Sequence, residues 1–319
     1  MNRKVYVTRT LHNSVMRALG NICEYDVNPE ERLATREELI NAVKNYAAII
    51  TMLNDPIDAE LIAQAGSDLK LIANYGVGFN NIDVKAANER GIYVTNTPDV
   101  LTDATADTAF TLMFACARRV IEGDNIVRTG SFMWAPKYML GYDITGRTVG
   151  VIGAGRIGTN FAVKAARGFN MKVLYYSRSS SLHIESVGAQ RVGLEELLER
   201  SDFVSIHVPL TPATHHLIGA NELAKMKPDA ILINTSRGPV VDEKALADAL
   251  ARKVIAGAGL DVYEHEPDVE PALKTLQNVV LLPHIGTATF GTRKEMGFMV
   301  IRNIEAVFAG KEPPQMVRV

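Results

Sequence analysis

From Lys4 onward, short β-branched apolar runs alternate with amphipathic stretches. KVYVTR, CEYDV, AAIITML, LKLIANYG and IYVTNT read as strands, and TREELINAVKN, DAELIAQAG and VKAANERG as helices between them. Alternation of this kind predicts parallel strands joined by crossover helices. Leu101 to Thr129 opens with Thr and Asp and sets Phe110, Met113, Phe114 and Ala117 at helical spacing, which predicts one long helix leading into a second domain. Between Gly130 and Gly146 the helical period lapses. Phe132, Trp134, Tyr138 and Tyr142 then fall in a predicted loop that either folds onto its own domain or forms an oligomer contact. From Thr148 the alternation resumes with TVGVIG, a helix from Arg156, MKVLYY, LEELLER, DFVSIHVP, AILINTS, DEKALADALAR, VIAGAGLDV and NVVLLP, a Val/Ile/Leu-rich pattern expected of a buried parallel sheet. A last helix, Thr292 to Ala309, has no strand of its own to cover and is expected to return to the first domain. The pattern therefore predicts an α/β protein with two doubly wound parallel-sheet domains.

Size agrees with that division. A chain of 319 residues exceeds one comfortable hydrophobic core and suits two domains with a cleft. With 47% hydrophobic and 22% charged residues and a mean hydropathy near zero, a soluble globular protein is expected. A net charge of -2 makes nucleic acid an unsuitable partner, because a phosphate backbone calls for a basic face. Cys23 and Cys116, the two cysteines, are far apart and are expected as buried free thiols. Met1 to Thr10 alternates polar and apolar residues where a signal peptide needs a continuous apolar core, and no apolar run reaches membrane-spanning length, so a cytoplasmic location without membrane attachment is expected.

Candidate chemistry begins at Gly153, Gly155 and Gly158, which form G-A-G-R-I-G between a strand and a helix. Three glycines at this spacing permit a tight turn, close approach of backbone to a pyrophosphate, and tight packing of helix on strand, while the helix N-terminus offers unpaired N–H groups to phosphate. In the NAD-binding form of this motif an acid ends the second strand and takes the ribose 2′-hydroxyl. Here that strand runs into Ser177, Arg178, Ser179 and Ser180. A guanidinium flanked by hydroxyls suits a 2′-phosphate, so NADPH is preferred, with NADH possible. Arg237, Glu266 and His284 sit at further strand ends, where α/β sheets bind ligands. Taken singly they read equally as a surface charge, a turn residue and a satisfied loop histidine.

The strings that hold these residues closely resemble the D-isomer-specific 2-hydroxyacid dehydrogenase family. The likeness covers essentially the whole chain: NYGVGFNNID (residues 74–83), TPDVLTDATADTAF (residues 97–110), TVGVIGAGRIG, the SRG of Ser236 to Gly238, LDVYEHEP and PHIG. It implies a Rossmann cofactor domain (residues 99–285) inserted in a flavodoxin-like substrate domain (residues 1–98 and 286–319). It also implies that Arg237, Glu266 and His284 are the catalytic residues: His284 as imidazolium donates the proton, Glu266 holds the ring and raises its pKa, and Arg237 grips the substrate carboxylate. Cofactor contacts implied with the glycine motif are Arg156, Ile157, Ser177, Arg178, Ser179, His207, Val208, Pro209, Thr214, Thr235, Ser236, Asp261 and Gly286. Leu53, Val77 and Gly78 are the implied substrate loop residues, with Tyr138 reaching the active site of a homodimer partner. No metal ligand is assigned. Within the family the chain is most similar to glyoxylate and hydroxypyruvate reductases, since Tyr75 stands where phosphoglycerate dehydrogenases tend to carry Arg, and no C-terminal regulatory domain is expected. The expected reaction is NADPH-preferring reduction of a small 2-keto acid. A larger keto acid, an NADH preference, or a nucleotide-sensing corepressor of the same fold are the alternatives.

Overall fold

The computed structural model describes residues 3–130 and 132–318, which form two compact units: the residues up to Leu101 with those from Thr287 onward, and Thr102–Gly286. In the first unit the elements run β1 (Val5–Val7), α1 (Asn13–Ile22), β2 (Tyr25–Val27), α2 (Arg36–Asn45), β3 (Ala48–Thr51), α3 (Ala59–Ala63), β4 (Leu71–Asn74), α4 (Val84–Glu89) and β5 (Tyr93–Thr95). The five strands are parallel in the order β2-β1-β3-β4-β5, the flavodoxin-like arrangement. Helix starts follow local chemistry. Thr35 and Glu38 close a capping box on α2, and Asp58 and Asp83 accept backbone N–H groups at the starts of α3 and α4.

The second unit holds α5 (Thr102–Ala117), α6 (Val120–Arg128), β6 (Thr148–Ile152), α7 (Arg156–Phe169), β7 (Lys172–Tyr176), α8 (Leu182–Glu185), β8 (Gln190–Arg191), α9 (Leu194–Arg200), β9 (Phe203–Ile206), α10 (Ala220–Lys225), β10 (Ile231–Asn234), α11 (Glu243–Ala251), β11 (Gly257–Leu260) and β12 (Val279–Leu281). Its seven parallel strands run β12-β11-β10-β9-β6-β7-β8. Counted from β6 as the first, this is the Rossmann order with one added strand, and the order reverses between β6 and β9. Both faces of the sheet are covered. On one side Phe161 of α7, fully buried, stacks on Phe110 of α5 with ring centroids 4.4 Å apart, and on the other Leu197, Leu223, Leu246 and Leu250 of α9, α10 and α11 fill the core. The final helix, α12 (Phe290–Phe308), capped by Thr289, belongs to the first unit, where Gly297 lets its backbone close on Val15 of α1.

Three details differ from expectation. The single helix expected over Leu101 to Thr129 is two, because the returning chain caps α5. The Tyr142 N–H bonds to the Ala117 carbonyl, Gly141 lies against that same carbonyl, and Arg119 turns into the left-handed region at φ 51°. Helix α1 was not expected, nor were α8, β8 and α10, which are too short to carry a periodic signal. Cys23 and Cys116 are free but partly exposed instead of buried, the first because it lies at the open C-terminal end of α1. No helix among the described residues is long and apolar enough to cross a membrane.

Candidate active site and cofactor cradle

In the second unit the expected residues gather at the carboxyl ends of successive strands. Gly153 follows β6, Ser177 to Ser179 follow β7, His207 to Pro209 follow β9, Thr235 to Arg237 follow β10, Asp261 follows β11, and His284 lies shortly after β12. The glycine turn works as its spacing requires. Gly153 has φ 102°, a conformation that strains any side chain, and a Cβ there would lie 2.7 Å from the His207 carbonyl oxygen. Gly158 packs directly on the Gly153 carbonyl, locking α7 onto β6. At the start of α7, Gly155 has open space around it and no side chain caps the helix, so its first N–H groups are available to phosphate. Across the point where strand order reverses, the His207 ring bonds to Ser205 at 2.9 Å and packs 5.2 Å from the Phe161 ring. Desolvation pushes its pKa down to about 3, so the ring is neutral at physiological pH and braces the turn from behind. The Thr235 Oγ1 is buried with no partner of its own. An uncapped helix end, a glycine cradle and an orphaned hydroxyl fit a dinucleotide.

At the β7 turn Arg178 is exposed and Ser177 half-buried. Sequence reasoning missed Arg191 beside them. From β8 its guanidinium donates to the Ser177 carbonyl at 2.9 and 3.1 Å and to the Arg178 carbonyl at 2.9 Å, adding a second cation to the turn. Only the pairing of Tyr175 with Arg191 across β7 and β8 brings it there. Thr214, also expected at the cofactor, stabilises its own loop through the Pro209 carbonyl at 2.6 Å.

The charged residues form one connected group. His284 Nδ1 lies 2.7 Å from Glu266 Oε2, and the other carboxylate oxygen accepts the Tyr263 N–H at 3.0 Å. Burial alone would raise the Glu266 pKa, but the His284 hydrogen bond and charge, the Tyr263 N–H and the Arg237 charge together hold it below the usual glutamate range. His284 sits at φ 55°, a left-handed conformation uncommon for any residue with a side chain. Asp261 holds it there: its two oxygens accept the N–H groups of Ile285 and Gly286, each at 2.7 Å. Burial raises the Asp261 pKa, opposed by those N–H donors and by His284. Arg237 is shaped by Asn234, a buried residue at the end of β10 that was not anticipated. The Asn234 side chain accepts from the Ser236 N–H and hydroxyl and donates to the Arg237 carbonyl, at 2.9 to 3.0 Å. One guanidinium nitrogen of Arg237 bonds to the Ser236 carbonyl at 2.7 Å. Desolvation lowers its pKa and Glu266 raises it, leaving a cation in either case.

In the first unit, the loop after β4 is organised by two asparagines. Asn74 donates to the Gly78 carbonyl at 2.7 Å, Asn96 donates to the Val77 carbonyl at 2.8 Å, and the Gly76 carbonyl accepts the Thr97 N–H at 3.0 Å. Because N–H and C=O point oppositely across a trans peptide, fixing the Gly76 and Val77 carbonyls turns the Val77 and Gly78 N–H groups away from the asparagines. Leu53 packs over Gly76. Tyr75 is buried, its hydroxyl donating to the Arg293 carbonyl at 2.5 Å. Tyr138 lies on the segment after α6, not at a strand end, and is half-buried.

Comparison with known proteins agrees with this geometry. Residues 110–286 match the NAD-binding domain of the D-isomer specific 2-hydroxyacid dehydrogenases. The chain is 50% identical to a glyoxylate reductase from Thermococcus kodakarensis over 99% of its own length and 96% of that protein. Among solved structures it superposes on a protein from Thermus thermophilus with a TM-score of 0.92 at 43% identity, covering 99% of this chain and 100% of that one. It also superposes on an NADPH-dependent glyoxylate/hydroxypyruvate reductase from Sinorhizobium meliloti, solved with NADP and malonate, with a TM-score of 0.85 at 33% identity, covering 98% and 96%. With the strand orders, the glycine cradle and the His284–Glu266 pair in place, the chain belongs to the D-isomer-specific 2-hydroxyacid dehydrogenase family and is an NAD(P)-dependent enzyme of that class.

Proposed function

We propose that this enzyme reduces glyoxylate and hydroxypyruvate to the corresponding 2-hydroxy acids, prefers NADPH, and uses His284 as proton donor. The observation that carries the reading is the 2.7 Å contact between His284 Nδ1 and a Glu266 carboxylate held ionised below its ordinary range. A carboxylate on Nδ1 orients the ring, stabilises its protonated form and leaves Nε2 to deliver a proton to a keto oxygen. Reduced nicotinamide, when bound, supplies the hydride. Arg237, a planar cation close enough to feel Glu266, grips a carboxylate and polarises the adjacent carbonyl. The Val77 and Gly78 N–H groups suit a carboxylate as well, and Leu53 gives that loop an apolar neighbour. Arg178 with Arg191, and the lack of an acid at the β7 turn, favour a 2′-phosphate. The glyoxylate reductase names of relatives near 50% identity support the substrate class.

A homodimer completes the proposal. Helix α6 has no buried residue, and Phe132 and Trp134 after it are 68% and 82% exposed, an apolar surface suited to a second copy, with Tyr138 close behind. The deciding experiment is a spectrophotometric panel of glyoxylate, hydroxypyruvate, pyruvate and phenylpyruvate against NADPH and NADH. The highest kcat/KM is expected for glyoxylate or hydroxypyruvate with NADPH. Preference for phenylpyruvate or for NADH overturns the corresponding half, and no turnover of any pair favours a sensing role.

A further inference from the structure

Behind the His284–Glu266 pair lies a second pair of carboxylates with no part in the reaction as described. Glu243 is the first residue of α11, and its side chain is almost wholly buried. Its Oε1 accepts the Glu264 N–H at 2.6 Å, and Glu264 Oε1 accepts the Glu243 N–H at 2.8 Å, so each residue binds the backbone of the other. The Glu270 N–H reaches Glu243 Oε2 at 3.4 Å, and His216 Nε2 lies 3.2 Å from Glu264 Oε1. Burial and the Glu264 charge raise the Glu243 pKa, while the two N–H donors and His265 lower it. A buried carboxylate facing another carboxylate is a costly way to fill space, and an apolar residue would do that more cheaply. What the arrangement provides is geometry. It clamps residues 263 and 264 against the start of α11, at the point where Gly238 of the Arg237 loop lies so close to the Tyr263–Glu264 peptide that a Cβ would overlap it.

Tyr263 transmits this placement. Its N–H fixes Glu266 Oε1, and its buried hydroxyl donates to the Leu282 carbonyl at 2.8 Å, just ahead of His284 in the chain. Both halves of the proton-donating pair are thus tied to one residue, and that residue is held by the Glu243–Glu264 clasp against the loop that carries Arg237. We infer that Glu243 and Tyr263 are positioning residues: they set the distance between Glu266 and His284, and the place of that pair relative to Arg237, without touching substrate. The inference rests on His284 being the proton donor.

The test uses the intact enzyme with glyoxylate and NADPH and four variants: Tyr263→Phe, Glu243→Ala, Glu243→Gln and His284→Ala. Loss of one aligned hydrogen bond should lower kcat about three- to tenfold in Tyr263→Phe, with KM and the NADPH dissociation constant unchanged. The falling limb of the pH profile should move toward acid as the carboxylate loosens its hold on the ring, with Asp261 and Arg237 the other charges acting there. Glu243→Ala should lower kcat further, and Glu243→Gln, which keeps an acceptor for the Glu264 N–H, should recover most of it. In a Glu266→Gln background, Tyr263→Phe should shift the limb no further, because the hydroxyl affects the limb only by placing His284 against the Glu266 carboxylate. A wild-type kcat and limb in Tyr263→Phe, or a limb shift that adds fully to that of Glu266→Gln, overturns the inference, whatever the melting temperature. Should Glu243→Ala fail to fold, the Tyr263→Phe and Glu243→Gln results still decide. His284→Ala separates this from the reading beneath it: an inactive His284→Ala beside an unaffected Tyr263→Phe overturns only the positioning role, whereas an active His284→Ala overturns the proton donor itself.

Discussion

Two regions of the second unit use their residues in opposite ways. At the rim built from the ends of β10, β11 and β12, charged and polar groups are turned inward and hydrogen-bonded: Glu266 to His284 and Tyr263, Asp261 to two backbone N–H groups, Asn234 to three atoms of the Arg237 loop. Along α6 and the segment after it the polarity is reversed, with Val120, Ile121, Val127, Phe132, Met133, Trp134 and Leu140 exposed. The rim is nearly self-sufficient, since its geometry is over-determined by neighbours in the same unit. The arm is where the proposed homodimer would gain, because burying such a surface takes apolar area out of water. Chemistry is thus expected to depend on single atoms at the rim, and assembly on summed area along the arm.

The sharpest test of the rim is His284→Ala. It should cut kcat for glyoxylate reduction by about 10² to 10⁴, the usual worth of a positioned acid, while fluorescence titration shows NADPH binding nearly intact. Equal loss of cofactor affinity would make the histidine part of the cradle instead. The β7 turn lies between the two extremes, because Arg178 is exposed but chemically specific. Replacing Ser177 by Asp together with Arg178 by Ala should move the NADPH-to-NADH ratio of kcat/KM toward NADH by about ten- to a hundredfold, the value of one charge-assisted contact. An unchanged ratio would assign the 2′-position to other groups.

For the arm, Trp134→Ala should weaken self-association by about thirtyfold if the indole anchors the interface, read by light scattering over a dilution series. A wild-type enzyme that is monomeric at micromolar concentration removes the homodimer altogether. Back at the rim, a subtler change is Glu266→Gln, which removes the charge but keeps a hydrogen bond. The falling limb of the reductive kcat/KM profile should move to lower pH, because the neutral amide no longer favours an imidazolium at Nδ1. Stability carries the same signature with a fixed sign. The folded pKa of Glu266 is depressed, so its contribution is fully present above the ordinary glutamate value and is lost as pH falls through the lowered one. The wild type should therefore lose more melting temperature on acidification than Glu266→Gln, and parallel curves would remove Glu266 as a stabilising partner.

Much of this molecule is legible along the chain because its rules are local. Alternation of β-branched runs with amphipathic stretches determined two parallel α/β sheets, and three glycines between a strand and a helix determined a phosphate turn, since one backbone conformation there excludes any side chain. Motif likeness singled out Arg237, Glu266 and His284. The tertiary structure decided what no local rule contains. Arg191 joins the β7 turn only through strand pairing, and α5 ends at Ala117 because the chain around Gly141 and Tyr142 returns to cap it. Glu243 reads as an ordinary first-turn acid of a helix, and only folding brings Glu264 against it. Spacing along a strand or helix is encoded within a few residues, whereas a hydrogen bond between residues 21 apart depends on every element that places its two ends.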